Sequence, residues 1–312
     1  MTLLKKLKIF TTFVGGVVFF FISFNTLQAD VTNFEILPSA SKEQLKLRHI
    51  NILDVKKLNF SGVNELSGLV YKNNKLYAIG DGGILYRFSI EIKDKKIEKL
   101  SLDYAKELRD KHNKKLSKKM SDAEGLAFYK KNLLISFEGE NRVDLYSLHA
   151  KKIKSIKINK KLLKYSDYDG KNKGLESVAY SKKYGILTAP EIPLKGKKLH
   201  VIYAKDKVWH FKAKGVISDM TFISKNKLLI LLKEFHLFTM HRVSRVVLLN
   251  LKKCKYGSCK AKTIHEFDSK DGWRLDNFEG ITKVKDNLFL VVSDNNHNPF
   301  QKTLLVLFEL NL

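Results

Sequence analysis

Apolar residues in this chain fall into short runs separated by polar turns, and one arrangement of them returns five times. Each unit has a polar or acidic residue, a short apolar strand, a turn, a second apolar strand and a closing acidic residue. The units occupy 65–81, 122–138, 174–191, 217–234 and 277–294. A third apolar run follows each one, at 84–90, 143–148, 199–204, 245–251 and 303–310. A fourth follows the first four units, at 97–102, 153–158, 208–212 and 262–267. Such units predict an all-β fold, a β-propeller of four-stranded blades. Five blades are countable, and a sixth, degenerate one has room in 30–60 or in the insertions. The fifth unit lacks a fourth strand, while 50–58 is a spare run ahead of the first. An N-terminal strand therefore completes the last blade and closes the ring, which removes exposed sheet edges. The charged stretch 103–119, with Tyr104, Leu108 and Leu116, predicts a short helical connector.

The first 29 residues stand outside this rhythm. Lys5, Lys6 and Lys8 precede an apolar run from 9 to 24, and Ala29 precedes Asp30. This is the layout of a cleaved signal peptide, leaving 30–312 as a single domain in the periplasm or outside the cell. An uncleaved anchor is the alternative. Export places Cys254 and Cys259, five apart around Gly257, in an oxidising compartment, so a disulfide closing a local loop is expected.

The polar positions that close the repeats carry the candidate chemistry. The first strands begin at Ser67, Glu124, Glu176, Asp219 and Glu279, and the second strands end at Asp81, Glu138, Glu191, Glu234 and Asp294. These residues read as opposite partners across each hairpin, converging on one mouth of the central channel. Adjacent like charges destabilise a sheet. The cluster therefore calls for a cation, raised pKa values or neighbouring Lys and Arg; some of these carboxylates can instead latch backbone N–H groups of a neighbouring blade. An all-oxygen set points to a divalent cation, calcium first and magnesium or manganese second. Asp122, Glu140, Asn295, Asn296 and His297 extend the polar pocket. Arg142, Lys233, Arg245 and Arg274 lie close in sequence and either neutralise carboxylates or bind an anionic group.

Composition narrows the classes. With 44% hydrophobic residues the chain has material for a core, and two cysteines exclude a zinc ribbon. There is no GxSxG, HExxH, GxxxxGK[ST] or GxGxxG motif. Lys and Arg number 58 against 32 Asp and Glu, a net charge of +26. The lysines are scattered through the turns, as on a solvated surface, and export argues against nucleic acid as a partner. A small anionic or ester substrate, association with a membrane surface and a monomeric state are the expectations.

LSGL at 66–69, IGD at 79–81, DAEGLA at 122–127, EGE at 138–140, GLES at 174–177, ISDM at 217–220, EGI at 279–281 and VSDNN at 292–296 resemble the phytase-like domain family, "esterase-like activity of phytase". The resemblance covers roughly 60–312 and implies an exported β-propeller that hydrolyses a phosphoester or ester. The expected chemistry is a metal-dependent hydrolase, with Glu124 and Glu279 as catalytic carboxylates. Ligands are drawn from Asp81, Glu124, Glu138, Glu176, Glu191, Asp219, Glu234, Glu279, Asp294 and Asn295. A lactonase-type metal-dependent propeller and a binding propeller without chemistry are the alternatives.

Overall fold

The computed structural model describes residues 7–14, 17–24, 30–37, 49–168, 174–298 and 300–312. Five antiparallel sheets form the ring. Blade 1 runs Leu66–Lys72, Lys75–Gly80, Ile84–Lys93 and Lys96–Glu107. Blade 2 is Ala123–Tyr129, Asn132–Phe137, Arg142–Tyr146 and Lys152–Ile156. Blade 3 is Leu175–Ser181, Gly185–Pro190, His200–Tyr203 and Val208–Phe211. Blade 4 is Val216–Phe222, Lys227–His236, His241–Asn250 and Lys262–Asp268. Blade 5 takes Asn277–Lys285, Leu288–Asp294 and Thr303–Leu310 from the C-terminus and Ile50–Leu58 from the N-terminus.

The first strand of each blade is innermost, and each innermost strand packs beside those of the two neighbouring blades, so the ring closes without a gap. The closing strand pairs with the last one from Leu58 opposite Thr303 to Ile50 opposite Leu310. Val31–Asn33 adds a fifth strand outside it. Residues 31–33 and 50–58, within the stretch that had room for a sixth blade, are thus spent on the fifth, and among the described residues the blades number five. Both faces of a blade are covered by its neighbours, which explains continuous apolar runs such as 228–232, all fully buried. Leu66, Leu76 and Phe88 of blade 1, for example, share one core with Leu290 and Leu305 of blade 5.

The helical connector expected over 103–119 does not form. Residues 103–107 continue the outer strand of blade 1, with Tyr104 opposite Arg87. Arg109 then bridges to Lys115 and Lys151, and a single 3-10 turn covers Lys118–Met120. Pairing with the long third strand, across a β-bulge at Asp103, overrides the charged, helix-favouring composition. In the N-terminal segment, Leu7–Val14 and Val17–Phe24 pair as an antiparallel hairpin separate from the blades, and the expected cleavage region 25–29 lies outside the described residues. Cys254 and Cys259 are bonded to each other.

Near the axis the innermost strands approach so closely at Gly68, Gly125 and Gly280 that a side chain is excluded there. A Cβ on Gly125 would stand 2.7 Å from the Val178 backbone nitrogen, and one on Gly68 2.7 Å from that of Leu126. Blade 4 has Asp219 where these glycines stand, and its carboxylate binds the seam: one oxygen accepts the Met220 N–H at 2.8 Å and the other the Ile281 N–H of blade 5 at 2.8 Å. Asp219 is thus a latch between blades. Replacing it with alanine leaves two buried donors unpaired, and a loss of about 2–4 kcal/mol is expected in urea unfolding, with divalent-cation binding unchanged.

Candidate functional site at the channel mouth

The innermost strand of every blade starts at the same mouth of the channel, and the second strand returns there. Near the mouth the register across this pair slips in all five blades, a β-bulge. The bulge sets two residues against one and bends the strand, so the extra side chain is re-aimed. The bulged positions are Ser67, Glu124, Glu176, Ser218 and Glu279. At the mouth-side end of the second strand stand Asp81, Glu138, Glu191, Lys233 and Asp294, paired through the backbone with Glu65, Asp122, Gly174, Val216 and Asn277. These ten positions carry seven carboxylates, two serines and one lysine. The acids of a blade are offset across the bulge and are not direct hairpin partners.

Blade 4 departs from the sequence reading by one residue in both strands. Asp219 is the interblade latch, and Ser218 holds the bulged position. Glu234 lies one step beyond the mouth position and accepts from Arg245 Nη1 at 2.5 Å, while Lys233 takes its place. A one-residue shift sends a strand side chain to the opposite face, so neither Asp219 nor Glu234 joins the mouth cluster.

Burial and mutual repulsion dominate the electrostatics. Desolvation, then the charges of Asp81, Glu176, Glu138 and Asp122, push the Glu124 carboxyl well above its ordinary range. Asp81 is pushed up to about 8 by burial and by Asp294, Glu279 and Glu65, although the Ser67 hydroxyl donates to it. Burial raises Asp294 as well, against hydrogen bonds from the Asn296 N–H and the Asn277 side chain. Lys233 divides the ring: its Nζ lies 2.5 Å from Glu279 and 3.7 Å from Glu176. Burial alone would lower its pKa, but Glu279, Glu176 and Glu191 together hold it above the ordinary value. Glu279 also accepts from Asn277 at 2.5 Å and is thereby anchored.

Two groups of carboxylates overlap at Glu138, and the second of them reaches Lys233 through Glu176. Oxygens of Asp122, Glu124 and Glu138 lie within 4.8 Å of one another, as do those of Glu138, Glu176 and Glu191. Two oxygens on opposite sides of a calcium ion, each at about 2.4 Å, stand about 4.8 Å apart. Donor type and spacing therefore fit a hard divalent cation. The Gly174 N–H donates to Glu138 at 2.7 Å and fixes one ligand oxygen.

The other expected site residues are used elsewhere. Arg142 stacks on Phe137, pairs with buried Asp144 at 2.9 Å and donates to the Met120 and Glu140 carbonyls. Arg245 is held between Glu234 and Glu266, each at 2.5 Å. Arg274 is exposed, and its backbone N–H is bound by Ile36. Asn295 ties the last blade to the first by accepting the Glu65 N–H and donating to Asn64. His297 pairs with Glu65 at 3.0 Å, and Glu140 is 3.9 Å from Lys119. Of the four basic candidates, only Lys233 reaches the cluster. Beside it, between blades 4 and 5, opens a cavity of about 450 Å³ lined by Glu191, Arg242, Ser244, Asn277 and Asn296 among others. Arg242 was not singled out by its sequence position. The opposite mouth differs in character, with Tyr71, Phe128, Tyr180 and Phe222 lining a recess of about 290 Å³.

Solved structures with similar folds include the PQQ-bound aldose sugar dehydrogenase of Streptomyces coelicolor (10% identity, 82% of this chain and 98% of that one, TM-score 0.44). A streptogramin B lyase matches at 8% identity over 85% and 99% of the two chains, TM-score 0.40. The glutaminyl cyclase of Myxococcus xanthus matches at 10% identity over 84% and 97%, TM-score 0.45. No curated protein sequence matches the chain. The profile of the Phytase-like family, described as "Esterase-like activity of phytase", matches residues 61–297, from the entry to blade 1 to the mouth loop of blade 5. With most of the ring inside that match, the chain belongs to the Phytase-like family.

Proposed function

We propose that this protein is an exported, divalent-cation-dependent hydrolase of a phosphoester or ester, working at the carboxylate mouth of the propeller. The observation that carries this reading is the pair of overlapping three-carboxylate groups centred on Glu138, beside a polar cavity that a small substrate can enter. Asp122, Glu124, Glu138, Glu176 and Glu191 are the residues that would hold the cation, with calcium favoured by the all-oxygen donors and their spacing. A bound divalent cation would supply Lewis-acid polarisation of the ester or phosphoester and would make water more acidic. Lys233 balances the charge of Glu279 and Glu176 and, with Asn277, holds Glu279 in place. Asp81, with a pKa of about 8 and the Ser67 hydroxyl on it, is poised to carry a proton near neutral pH. Arg242, in the cavity wall, is the candidate contact for an anionic substrate group.

The test is a screen of phosphoesters, carboxylic esters and lactones with chelator-stripped protein, with and without calcium, magnesium or manganese. Turnover is expected only with a cation and to fall about 100-fold or more in Glu124→Gln/Glu138→Gln. Full turnover in chelator, or in that double variant, would remove the reading. Turnover confined to lactones would favour the lactonase alternative; binding of an anionic ligand without turnover would favour a binding propeller.

A further inference from the structure

Exposed apolar side chains are distributed very unevenly over the two ends of the ring. Among the described residues, ten large hydrophobics are exposed: Ile153, Leu163, Leu199, Phe235, Leu237, Phe238, Met240, Tyr256, Phe300 and Leu312. Connections from second to third strands, and from each blade to the next, lie at the carboxylate mouth, because innermost strands begin and second strands end there. Seven of the ten belong to those connections and their strand ends: Leu163, Leu199, Phe235, Leu237, Phe238, Met240 and Phe300. They also share one sector, from the entry to blade 3 round to blade 5.

The most prominent of them form the tip of the long hairpin of blade 4. Its strands pair without a break from Lys227 opposite Asn250 to His236 opposite His241, carrying the tip past the mouth position at Lys233. A 3-10 turn, Leu237–Thr239, closes it with Met240 in the left-handed region (φ 50°). Phe238 has a relative exposure of 102%, Leu237 69% and Met240 60%. Phe300 stands at 87% on the corresponding loop of blade 5. Such side chains gain nothing in water, and the most exposed of them stand at projecting loop tips. Isolated apolar tips framed by cations suit the headgroup boundary of a bilayer, where rings and aliphatic chains insert singly. The frame is present: Lys195, Lys197 and Lys198 are exposed on the mouth loop of blade 3, Lys212 and Lys214 before blade 4, and Lys270 before blade 5. The chain as a whole carries +26, which draws it to negatively charged lipid.

We infer that the mouth face of blades 3 to 5 docks on an anionic phospholipid surface, with the blade 4 hairpin tip and Phe300 inserted among the headgroups. This docking is independent of any chemistry at the carboxylates. It is tested by co-sedimentation of the propeller chain 30–312, free of the apolar N-terminal segment, with vesicles of phosphatidylcholine alone and of phosphatidylcholine with an equal part of phosphatidylglycerol. Binding is expected to the mixed vesicles, weakening as salt rises, and to fall about tenfold or more in Leu237→Ser/Phe238→Ser. Phe300→Ser should weaken it less, and Tyr256→Ser, an exposed ring on the far face, should leave it unchanged. All three variants alter exposed side chains, and unchanged melting temperatures verify their folding. Absence of binding to the mixed vesicles at low salt overturns the inference and leaves the tip to a protein partner. Equal binding by wild type and Leu237→Ser/Phe238→Ser overturns the insertion and reduces the effect to surface charge.

Discussion

The melting temperature of cation-free protein is expected to fall as pH rises from 4 to 8, and calcium is expected to reverse that fall at the alkaline end. A typical carboxylate gains from folding by being ionised; those at this mouth behave in the opposite sense. Asp81 has an ordinary pKa of 3.8 and one of about 8 in the fold, raised by burial and by Asp294, Glu279 and Glu65. Between those values the folded chain holds a proton that the unfolded chain has released. Stability therefore declines with pH across this window, by up to about 1.4 kcal/mol per unit for one such group. The contribution is fully present below 3.8 and gone above 8. Glu124 is shifted in the same direction and adds to the slope. A cation needs ionised ligands, so its affinity runs the other way and grows with pH. At 100 times its dissociation constant a ligand adds about 2.7 kcal/mol, or roughly 4 °C for a chain of this size. Calcium should thus move the midpoint strongly at pH 8 and little at pH 5. A melting temperature that is flat with pH and indifferent to calcium, magnesium and manganese would mean that the ring is neutralised from within, and the hydrolase reading would lose its cation.

Much of the fold lies open in the sequence because a blade has no freedom to hide its pattern. The inner strands are covered on both faces, so their apolar runs are nearly unbroken, while the outermost strands of blades 1 and 2 are largely exposed and the turns are polar. The strand at 50–58 was visible as a surplus, and its place followed from the missing strand of the fifth unit. The connector at 103–119 was misread because composition spoke for a helix, while the deciding interaction, pairing with 84–93, is long in reach. The mouth is legible in blades 1, 2, 3 and 5 and slips by one residue in blade 4. Spacing could not reveal the slip: Asp219 to Glu234 and Ser218 to Lys233 are both 15 residues. The aromatic position could have. Tyr71, Phe128, Tyr180 and Phe222 stand four residues after Ser67, Glu124, Glu176 and Ser218, and Asp219 breaks that register. An acidic residue at the latch position drew the alignment to itself. The roles of Arg142 and Arg245 were beyond the sequence for another reason. Neighbouring strand residues point to opposite faces, so nearness along the chain says nothing about which carboxylate an arginine meets.

Lys233 gives the second large effect. Replacing it with methionine keeps the length and apolar stem of the side chain but removes the charge between Glu279 and Glu176, both buried. Breaking a buried pair by deleting one partner costs about 3–5 kcal/mol, because the remaining carboxylate is left without compensation. Lys233→Met in chelator at pH 8 is therefore expected to lose that much in urea unfolding. The loss should shrink toward pH 5, where the stranded carboxyls take up protons. It should also shrink in Lys233→Met/Glu279→Gln, since the second change removes the charge that the first exposed; non-additivity of the two isolates the pair itself. Lys233→Glu goes further, giving blade 4 the acid that the other blades carry at this position. Without cation it should be the least stable of the series, and with calcium it should recover more than Lys233→Met does. Were the three variants to lose equal stability, with or without calcium, Lys233 would be filling space at the mouth. A graded series in which added negative charge is rescued by the cation would instead make this one lysine the internal counter-ion of the ring, shared between Glu279 and Glu176 at the edge of the cation-binding group.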